Sequence, residues 1–240
     1  MENRKIEHLA VIMDGNGRWA KAHHRPRLMG HRAGADALDR VMHWCKEAGI
    51  KYLTVYAFST ENWKRSKEEV SGLMKLLSHF IKTKEKELLK NGIAFRVIGR
   101  REDLSPKLQR EIAALEEKTK GGDFTLVVAL SYGGRDEIVR AAARLAAKSQ
   151  LGSDRVGLGS IKVDEESFAE CLDTAGIPDP DLIVRTSGEL RLSNFLLWQA
   201  AYAEFYFTDV LWPDFDKAEF DKAIASFSKR ERRMGGRLGK

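Results

Sequence analysis

Short apolar, β-branched runs alternate with longer stretches of helical periodicity along the whole chain. Because strands joined by crossover helices produce this alternation, it predicts an α/β fold with a mostly parallel sheet. Strands are predicted near residues 8–13, 52–58, 93–98, 124–131, 181–186 and 204–208. Helices are predicted near residues 33–48, 67–90, 105–119, 134–149 and 165–174, with a short one near 194–201 and a last one near 216–233. We therefore expect one six-stranded sheet surrounded by helices.

The length and composition of the chain are those of a single globular domain. A chain of 240 residues lies near the upper limit for one hydrophobic core. Its hydrophobic residues make up 43%, and no run approaches the roughly 20 apolar residues that span a bilayer. The charged segment before Asp14 lacks the apolar run of a signal peptide. We expect one domain over residues 1–240 and a cytoplasmic location.

The net charge of +6 does not by itself identify a partner, because nucleic acid, an anionic membrane surface and a phosphorylated small molecule all attract a basic protein. The arginines, however, cluster beside carboxylates at predicted strand ends rather than along one helix face. The chain also has no recognised nucleic-acid motif. The charge distribution therefore favours a phosphorylated substrate over nucleic acid.

A glycine-rich segment with a carboxylate follows the first predicted strand directly. Residues 14–20 read DGNGRWA, and Arg27 and His31 lie a few residues beyond. Open α/β sheets bind ligands at the carboxyl ends of their strands, where glycines let backbone N–H groups approach phosphate oxygens. Together with the forked donor of Arg18, this segment predicts a diphosphate site.

The same segment loosely matches a dinucleotide-binding fingerprint through Gly15, Gly17 and Ala20. Asp14, directly before the first glycine, would place a negative charge against a cofactor pyrophosphate unless a metal intervened. No acidic residue follows about 20 residues later at the end of a second strand. A nucleotide-dependent oxidoreductase or transferase therefore remains an alternative, as does a plain tight turn.

Two further polar clusters follow predicted strands. The second strand runs into residues 59–65, STENWKR, and the fifth opens onto residues 185–195, RTSGELRLSNF, a second candidate anion site. Glu204 begins the sixth strand and could complete a Mg²⁺ site with Asp14, since Mg²⁺ prefers a few carboxylate oxygens together with substrate phosphates. Two phosphate sites, separated carboxylates and the apolar face of the helix at 67–90 suggest a reaction between two phosphorylated molecules, at least one with a hydrocarbon tail.

The sequence resembles the cis-prenyltransferase family, in particular its undecaprenyl diphosphate synthase type. The resemblance extends from His8 to Gly236. The blocks that carry it are residues 8–20, 30–34, 56–63 with Arg65, 132–135, 185–189 with Arg191, 193–195 and 203–213.

The resemblance implies a role for each matching residue. Asp14 would be the essential acid and would coordinate Mg²⁺ with the allylic diphosphate, and Glu204 would lie near the metal. Asn62 would take part in proton removal, although an amide is a poor base. The residues implied to hold the allylic diphosphate are Gly15, Asn16, Gly17, Arg18, Trp19, Arg27 and His31. Those implied to hold isopentenyl diphosphate are Arg185, Arg191, Leu192 and Ser193, while Ser59, Thr60, Glu61, Trp63 and Arg65 would order the segment between the two substrates.

The resemblance also implies how the product forms and where it goes. Farnesyl diphosphate would be extended by isopentenyl diphosphate into a long polyprenyl diphosphate, such as undecaprenyl diphosphate for a bacterial cell-wall lipid carrier. The growing chain would enter a hydrophobic tunnel between the sheet and the helices at 33–48 and 67–90. Arg233 and Gly235 would reach the partner's substrate in a homodimer, and product release would involve peripheral membrane contact.

Two other classes of protein remain as alternatives. An anionic-surface or nucleic-acid binding module is suggested by charge alone. A catalytically silent accessory subunit of the same family is disfavoured because Asp14, Asn62, Arg185 and Arg191 are all present. A trans-type prenyltransferase is excluded because the chain has no Asp-Asp pair and is not predicted to be all-helical.

Overall fold

The structure, a computed structural model, describes residues 5–153 and 163–228. Its strands form one sheet in the order β3-β4-β2-β1-β5-β6, and every neighbouring pair is parallel. The strands are β1 (His8–Ile12), β2 (Tyr52–Ser59), β3 (Ile93–Ile98), β4 (Phe124–Tyr132), β5 (Leu182–Arg185) and β6 (Glu204–Phe207). The predicted α/β class and the predicted six-stranded sheet are confirmed. That residues 1–240 form a single domain stays a prediction, since residues 1–4, 154–162 and 229–240 lie outside the described part.

Seven α-helices accompany this sheet within the described residues. They are α1 (Asn16–Ala22), α2 (Arg27–Glu47), α3 (Lys67–Lys90), α4 (Pro106–Lys118), α5 (Gly134–Ser153), α6 (Glu165–Ala169) and α7 (Lys217–Ser228). Short 3-10 turns occur at Thr60–Lys64, Arg101–Asp103, Gln199–Tyr202 and Trp212–Asp214. Among the helices of the described residues, none is both long enough and apolar enough to cross a membrane.

Some predicted helix boundaries are wrong. The segment after Asp14 was predicted as a turn, but it forms helix α1, and α2 begins at Arg27 rather than near residue 33. The short helix predicted near 194–201 is absent, because Asn194 and Leu196 adopt left-handed backbone angles and only Gln199–Tyr202 makes a 3-10 turn. Helix α6 ends well before residue 174, and α5 extends to Ser153, beyond the predicted residue 149. Of the predicted last helix, residues 229–233 lie outside the described residues.

Two predicted helix starts are confirmed by side-chain caps. The Ser66 hydroxyl accepts a hydrogen bond from the Glu69 backbone N–H at 3.2 Å, and the Ser105 hydroxyl accepts one from Leu108 at 3.3 Å. The Glu69 carboxylate does not fold back onto its own cap. It lies instead 2.9 Å from an arginine, Arg65, at the ligand-binding rim described below.

Alternate strand residues face two separate apolar layers, as the two-residue period of a strand requires. Leu9 and Val11 of β1 pack in the layer under α2, α3, α4 and α7, whereas Ala10 and Ile12 pack in the opposite layer. Burial on both faces is the normal condition of a parallel sheet. It leaves the carboxyl ends of the strands as the rim on which polar groups collect.

Helix α1 crosses α2 at two glycines of α2. A Cβ atom on Gly30 would overlap the backbone carbonyl oxygen of Asn16, and one on Gly34 would overlap the Asn16 side chain. Both glycines are buried within the helix. Glycine has a low helix propensity, but these two glycines lie within a helix. Their lack of a side chain permits close approach of the helix that follows Asp14.

We predict that Gly30→Ala destabilises the protein by about 1–3 kcal/mol, because the added methyl group overpacks against the α1 backbone. Gly72→Ala is the matched control within α3, where the added Cβ would meet only the flexible Leu28 side chain at 3.3 Å. The control should be neutral or stabilising by up to about 1 kcal/mol, since alanine is the better helix former. Urea denaturation of both variants gives the comparison, and equal effects would contradict the close-approach explanation.

The imidazole of His8 is a buried polar link between three segments. Its Nδ1–H donates to the Pro178 carbonyl oxygen at 2.6 Å, and its Nε2 accepts from the Thr54 hydroxyl at 2.7 Å. The neutral ring with its proton on Nδ1 makes both bonds. Burial is the main cause that lowers the pKa of His8 to about 4, against the opposing effects of Pro178 and Asp181.

We predict that stability falls as the pH is lowered from about 6.5 towards 4. Across this window the unfolded His8 binds a proton that the folded, neutral ring does not. This difference lowers the free energy of unfolding by about 2 kcal/mol at pH 5 relative to pH 7.5. Free energies of unfolding from denaturant titrations at pH 7.5 and pH 5 test this. The difference between the two pH values should shrink in His8→Gln, and an unchanged difference would show that His8 is not its source.

Candidate active site

A polar cleft of about 560 Å³ opens at the carboxyl ends of β1, β2 and β5. Parallel strands that end at one rim bring together residues far apart in sequence. The predicted site residues that line the cleft are Asp14, Asn16, His31, Ser59, Glu61, Asn62, Arg65, Arg185 and Ser193. The three sequence clusters predicted at strand ends therefore form one site.

An ion pair between Asp14 and Arg185 lies at the centre of this cleft. Arg185 is only 3% exposed, and its Nη2 donates to Asp14 Oδ2 at 2.9 Å. Its Nη1 donates to the Ser193 hydroxyl at 2.8 Å and to the backbone carbonyl of Arg191. The Asp14 side chain keeps 34% of its surface exposed, so its carboxylate faces the cleft while balancing a buried charge.

The start of α1 holds Asn16 and Arg18 beside this pair. Gly15, with a left-handed φ of 107°, allows the chain to turn into the helix directly after Asp14. The Asn16 Oδ1 atom is buried without a hydrogen-bond partner, and Arg18 Nη1 donates to the Ser187 carbonyl at 2.9 Å. Arg18 Nη2 also lies 3.6 Å from Asp14 Oδ1.

The 3-10 turn after β2 fixes the Asn62 amide. The Ser59 backbone N–H donates to Asn62 Oδ1 at 3.1 Å, and the Ser59 side chain accepts in return from the Asn62 backbone. The next carboxylate, Glu61, accepts from Asn194 Nδ2 at 3.1 Å. Burial alone would raise the pKa of Glu61, but hydrogen bonds from its own backbone and from Ser59, Asn194 and Thr60 lower that pKa overall. Glu61 is therefore ionised at neutral pH.

His31 lies where the cleft meets the interior. Burial, followed by the positive charge of Arg65, lowers the pKa of His31 to about 4 despite the opposing effect of Glu69. The ring is consequently neutral at physiological pH.

Several predicted substrate residues lie around the cleft rather than in its wall. Trp19 donates from Nε1 to Asp214 at 2.7 Å and stacks on His23. Trp63 donates from Nε1 to the Ser131 hydroxyl at 2.8 Å and packs edge-on against Phe58. Each ring therefore has a partner of its own within the chain.

The remaining predicted residues flank the same rim. Arg191 pairs with Glu189, and Leu192 packs against the apolar layer of Ala10 and Ile12. Arg27 lies against Gly17, so that a Cβ on this glycine would lie 3.3 Å from the guanidinium Nε. The Thr60 hydroxyl is packed against Gly133. These residues surround the site without lining the cleft described above.

The structure does not bring Glu204 to Asp14. Glu204 begins β6 in register with Leu182 of β5, which in turn pairs with Leu9 of β1. Glu204 is thus level with the amino end of β1, whereas Asp14 follows the carboxyl end of that strand. Within one chain the two carboxylates lie at opposite ends of the parallel strands. The register therefore does not place Glu204 beside Asp14 of the same chain, and the expectation that Glu204 lies near the metal stays a prediction.

Asn194 is a site residue to which the sequence reasoning gave no role. Its Nδ2 donates to Glu61 and its Oδ1 accepts from the Arg135 backbone N–H at 2.9 Å. A Cβ on Gly133 would lie 2.7 Å from the same amide, so this glycine admits it. The sequence signal that could have indicated this role is the presence of Asn194 in the Ser193–Phe195 block. Asparagine tolerates the left-handed backbone, and Asn194 adopts it with φ 65°.

An apolar cavity adjoins the polar cleft. It has a volume of about 120 Å³ and lies between the sheet and helices α2 and α3, where the hydrophobic tunnel was predicted. Met13, Asn16, His31 and Ala57 line both spaces. The site therefore suits a molecule with an anionic head and a hydrocarbon tail.

The metal donors at this rim are sparse. Within residues 5–153 and 163–228, no group of three or more His, Cys, Asp or Glu side chains could hold a metal ion by itself. Asp14 offers one partly exposed carboxylate, and each of the three segments that form the site contains arginine. This donor set fits Mg²⁺, which typically takes one or two carboxylates and completes its shell with substrate phosphates and water.

The sequence matches a known protein family over most of its length. A family model described as putative undecaprenyl diphosphate synthase matches residues 12–235. An isoprenyl transferase of Fusobacterium nucleatum is 52% identical over 98% of each chain, and one of Thermotoga maritima is 50% identical over 96% of this chain and 97% of its own.

Solved structures show the same architecture. Lavandulyl diphosphate synthase from Lavandula x intermedia, in complex with dimethylallyl diphosphate, superposes with a TM-score of 0.89 at 37% identity, covering 97% of this chain and 99% of that one. A probable undecaprenyl diphosphate synthase from Campylobacter jejuni gives 0.81 at 37% identity, covering 97% of this chain and all of the other. The family match over most of the sequence, supported by relatives about half identical along their whole length, shows that this chain is a transferase and belongs to the cis-prenyltransferase, or isoprenyl transferase, family.

Proposed function

We propose that this enzyme condenses isopentenyl diphosphate repeatedly with an allylic diphosphate, with farnesyl diphosphate as the starter. The product would be a long-chain polyprenyl diphosphate, undecaprenyl diphosphate for a bacterial cell-wall lipid carrier. The observation that carries the proposal is the direct junction between the charged cleft and the apolar cavity through Met13, Asn16, His31 and Ala57. The lavender relative solved with dimethylallyl diphosphate supports an allylic substrate.

The chemistry consists of one bond exchange and one proton loss. The bond between the allylic C1 and its diphosphate oxygen breaks as the isopentenyl double bond attacks C1, and a proton then leaves the isopentenyl C2 to form the cis double bond. Charge accumulates on the departing diphosphate, so preformed cationic groups at the rim, such as Arg27 and Arg65, lower the barrier. When bound at Asp14 with the substrate phosphates, Mg²⁺ would supply further neutralisation of that charge.

The described residues divide the work between the two substrates. Arg185 and the Ser193 hydroxyl form a fixed donor pair for isopentenyl diphosphate, with Arg191 alongside. Asn62, held by Ser59, would orient the isopentenyl unit and take part in proton removal as a hydrogen-bonding group rather than as a base. This arrangement would keep the two diphosphates on either side of Asp14.

Chain growth would use the apolar face of α3. Leu73, Met74, Leu77 and Phe80 pack against the core but are only partly buried. A cavity of about 120 Å³ bordered by incompletely packed side chains can lengthen along the helix as they move aside.

The remaining parts of the proposal concern assembly and location. We expect a cytoplasmic homodimer that uses Mg²⁺, does not bind nucleic acid and contacts the membrane peripherally when it releases product. The predicted contribution of Arg233 and Gly235 to the partner's site lies outside the described residues.

Substitution of Asp14 tests the reaction. We predict that Asp14→Asn lowers incorporation of radiolabelled isopentenyl diphosphate, with farnesyl diphosphate and Mg²⁺, by about 10²–10³-fold. The amide oxygen can still accept from Arg185, so the fold should be retained, as thermal unfolding would show. Asp123→Asn is the control, because that carboxylate is 77% exposed at a distant turn and should leave activity unchanged.

Two results would count against the proposal. Full activity in Asp14→Asn would remove this carboxylate from the mechanism. No incorporation by the wild-type protein with geranyl, farnesyl or geranylgeranyl starters would reject the prenyl-transfer assignment itself.

Product length tests the cavity. We predict that Leu77→Trp, which places a bulky ring in the cavity wall, shifts the products towards shorter chains by one or more five-carbon units. Leu89→Trp is the matched control on α3, where the side chain is 47% exposed. Chromatography of dephosphorylated products gives the length, and an unchanged distribution in Leu77→Trp would show that the chain takes another path.

A further inference from the structure

A single carboxylate oxygen pairs with two arginines and lies near a histidine at the mouth of the cleft. Glu69 Oε1 lies 3.1 Å from Arg27 Nε, 2.9 Å from Arg65 Nη1 and 3.8 Å from His31 Nε2. The Glu69 side chain is 17% exposed, which makes these contacts stronger than those of a fully solvated pair. Since His31 is neutral, the carboxylate balances one of two arginine charges.

Two of these three partners line the spaces described for the site, and the third lies beside them. His31 lines both the cleft and the cavity, and Arg65 lines the cleft. Arg27 reaches over Gly17 at the first turn of α1. All three belong to the set that the family resemblance places on the substrates, so Glu69 lies where a diphosphate would be expected.

The position of Glu69 is fixed by its own backbone. Its N–H is the group that Ser66 caps at the start of α3. The neighbouring Glu68 shares the first turn and the formal charge, and therefore the same favourable interaction with the helix dipole, but it is exposed. A contribution to helix stability alone would make these two glutamates equivalent, whereas only Glu69 contacts the arginines.

We propose that Glu69 is a resident anion that holds Arg27 and Arg65 in place while the site is empty, yields them to the diphosphate of the allylic substrate, and takes them back as diphosphate leaves. It is a positioning residue, since it acts through the arginines and not on the reacting atoms. The inference rests on the proposed function. Its physical basis is competition: two anions of different charge compete for one pair of guanidinium groups, and the carboxylate lowers the net affinity for either diphosphate.

The test is the binding of inorganic pyrophosphate, measured by titration calorimetry in EDTA so that turnover and metal are not involved. We expect Glu69→Gln to bind pyrophosphate about three- to tenfold more tightly than wild type, because the competing charge is gone. Glu68→Gln removes the same formal charge one residue away and should stay close to wild type. Glu69→Asp keeps the charge on a shorter side chain and should be intermediate, which also covers the case in which Glu69→Gln folds poorly.

Steady-state kinetics give a second readout. In Glu69→Gln the KM for farnesyl diphosphate and the inhibition constant for pyrophosphate should both fall, and kcat should fall with them because release is slowed. Equal or weaker pyrophosphate binding by both Glu69 variants, or equal tightening in Glu68→Gln, would overturn the inference while leaving the proposed function intact. Wild-type protein that binds no pyrophosphate in EDTA would also overturn the inference, whereas the proposed function is rejected only by the lack of isopentenyl diphosphate incorporation in the assay above.

Discussion

The buried guanidinium of Arg185 is the group on which the rest of the site depends. A charge that is almost fully removed from water costs several kcal/mol unless it is paired and hydrogen-bonded, about the whole margin by which a domain is stable. Its donors therefore fix the carboxylate of Asp14, the hydroxyl of Ser193 and the backbone at Arg191. The Thr186 hydroxyl adds a bond to the Asp14 carbonyl at 2.6 Å. Two adjacent strand ends and the loop after β5 are thus held in one arrangement before any substrate arrives.

The same principle recurs around the rim, where the basic groups that would hold diphosphates are already paired with carboxylates of the chain. Asp14 pairs with Arg185, and Glu69 pairs with Arg27 and Arg65. Glu189 lies 3.6 Å from Arg18 and pairs with Arg191. The empty site is consequently much less positive than its arginine content suggests. Under the proposed function, substrate binding would be an exchange of anions rather than the filling of a strongly basic pocket, and this exchange would limit the affinity for a diphosphate that leaves in every cycle.

The order of the elements could be predicted from the sequence, but the geometry between them could not. Strand runs, caps at Ser66 and Ser105, and polar clusters at strand ends are local signals, and parallel topology places those clusters at one rim. Close approach of α1 to α2 through Gly30 and Gly34 is a tertiary effect that overrides propensity, so α1 was missed. The position of Glu204 relative to Asp14 depends on strand register, which the sequence pattern does not reveal. Glu69 follows Ser66 at capping-box spacing, and this local pattern gives no indication of its contacts with Arg27 and Arg65.

Helix α3 joins the two halves of the site. Glu69 in its first turn contacts the arginines at the cleft mouth, while Leu73, Leu77 and Phe80, on successive turns of the same face, line the cavity. At about 1.5 Å of rise per residue, the first of these side chains lies only some 6 Å along the axis from Glu69. The side chains of this face are only partly buried. If Glu69 gives up its arginines when diphosphate binds, the tether of α3 to the rim is weakened at the moment when the cavity must accept a hydrocarbon chain. The anion exchange and the widening of the cavity then follow from one structural element.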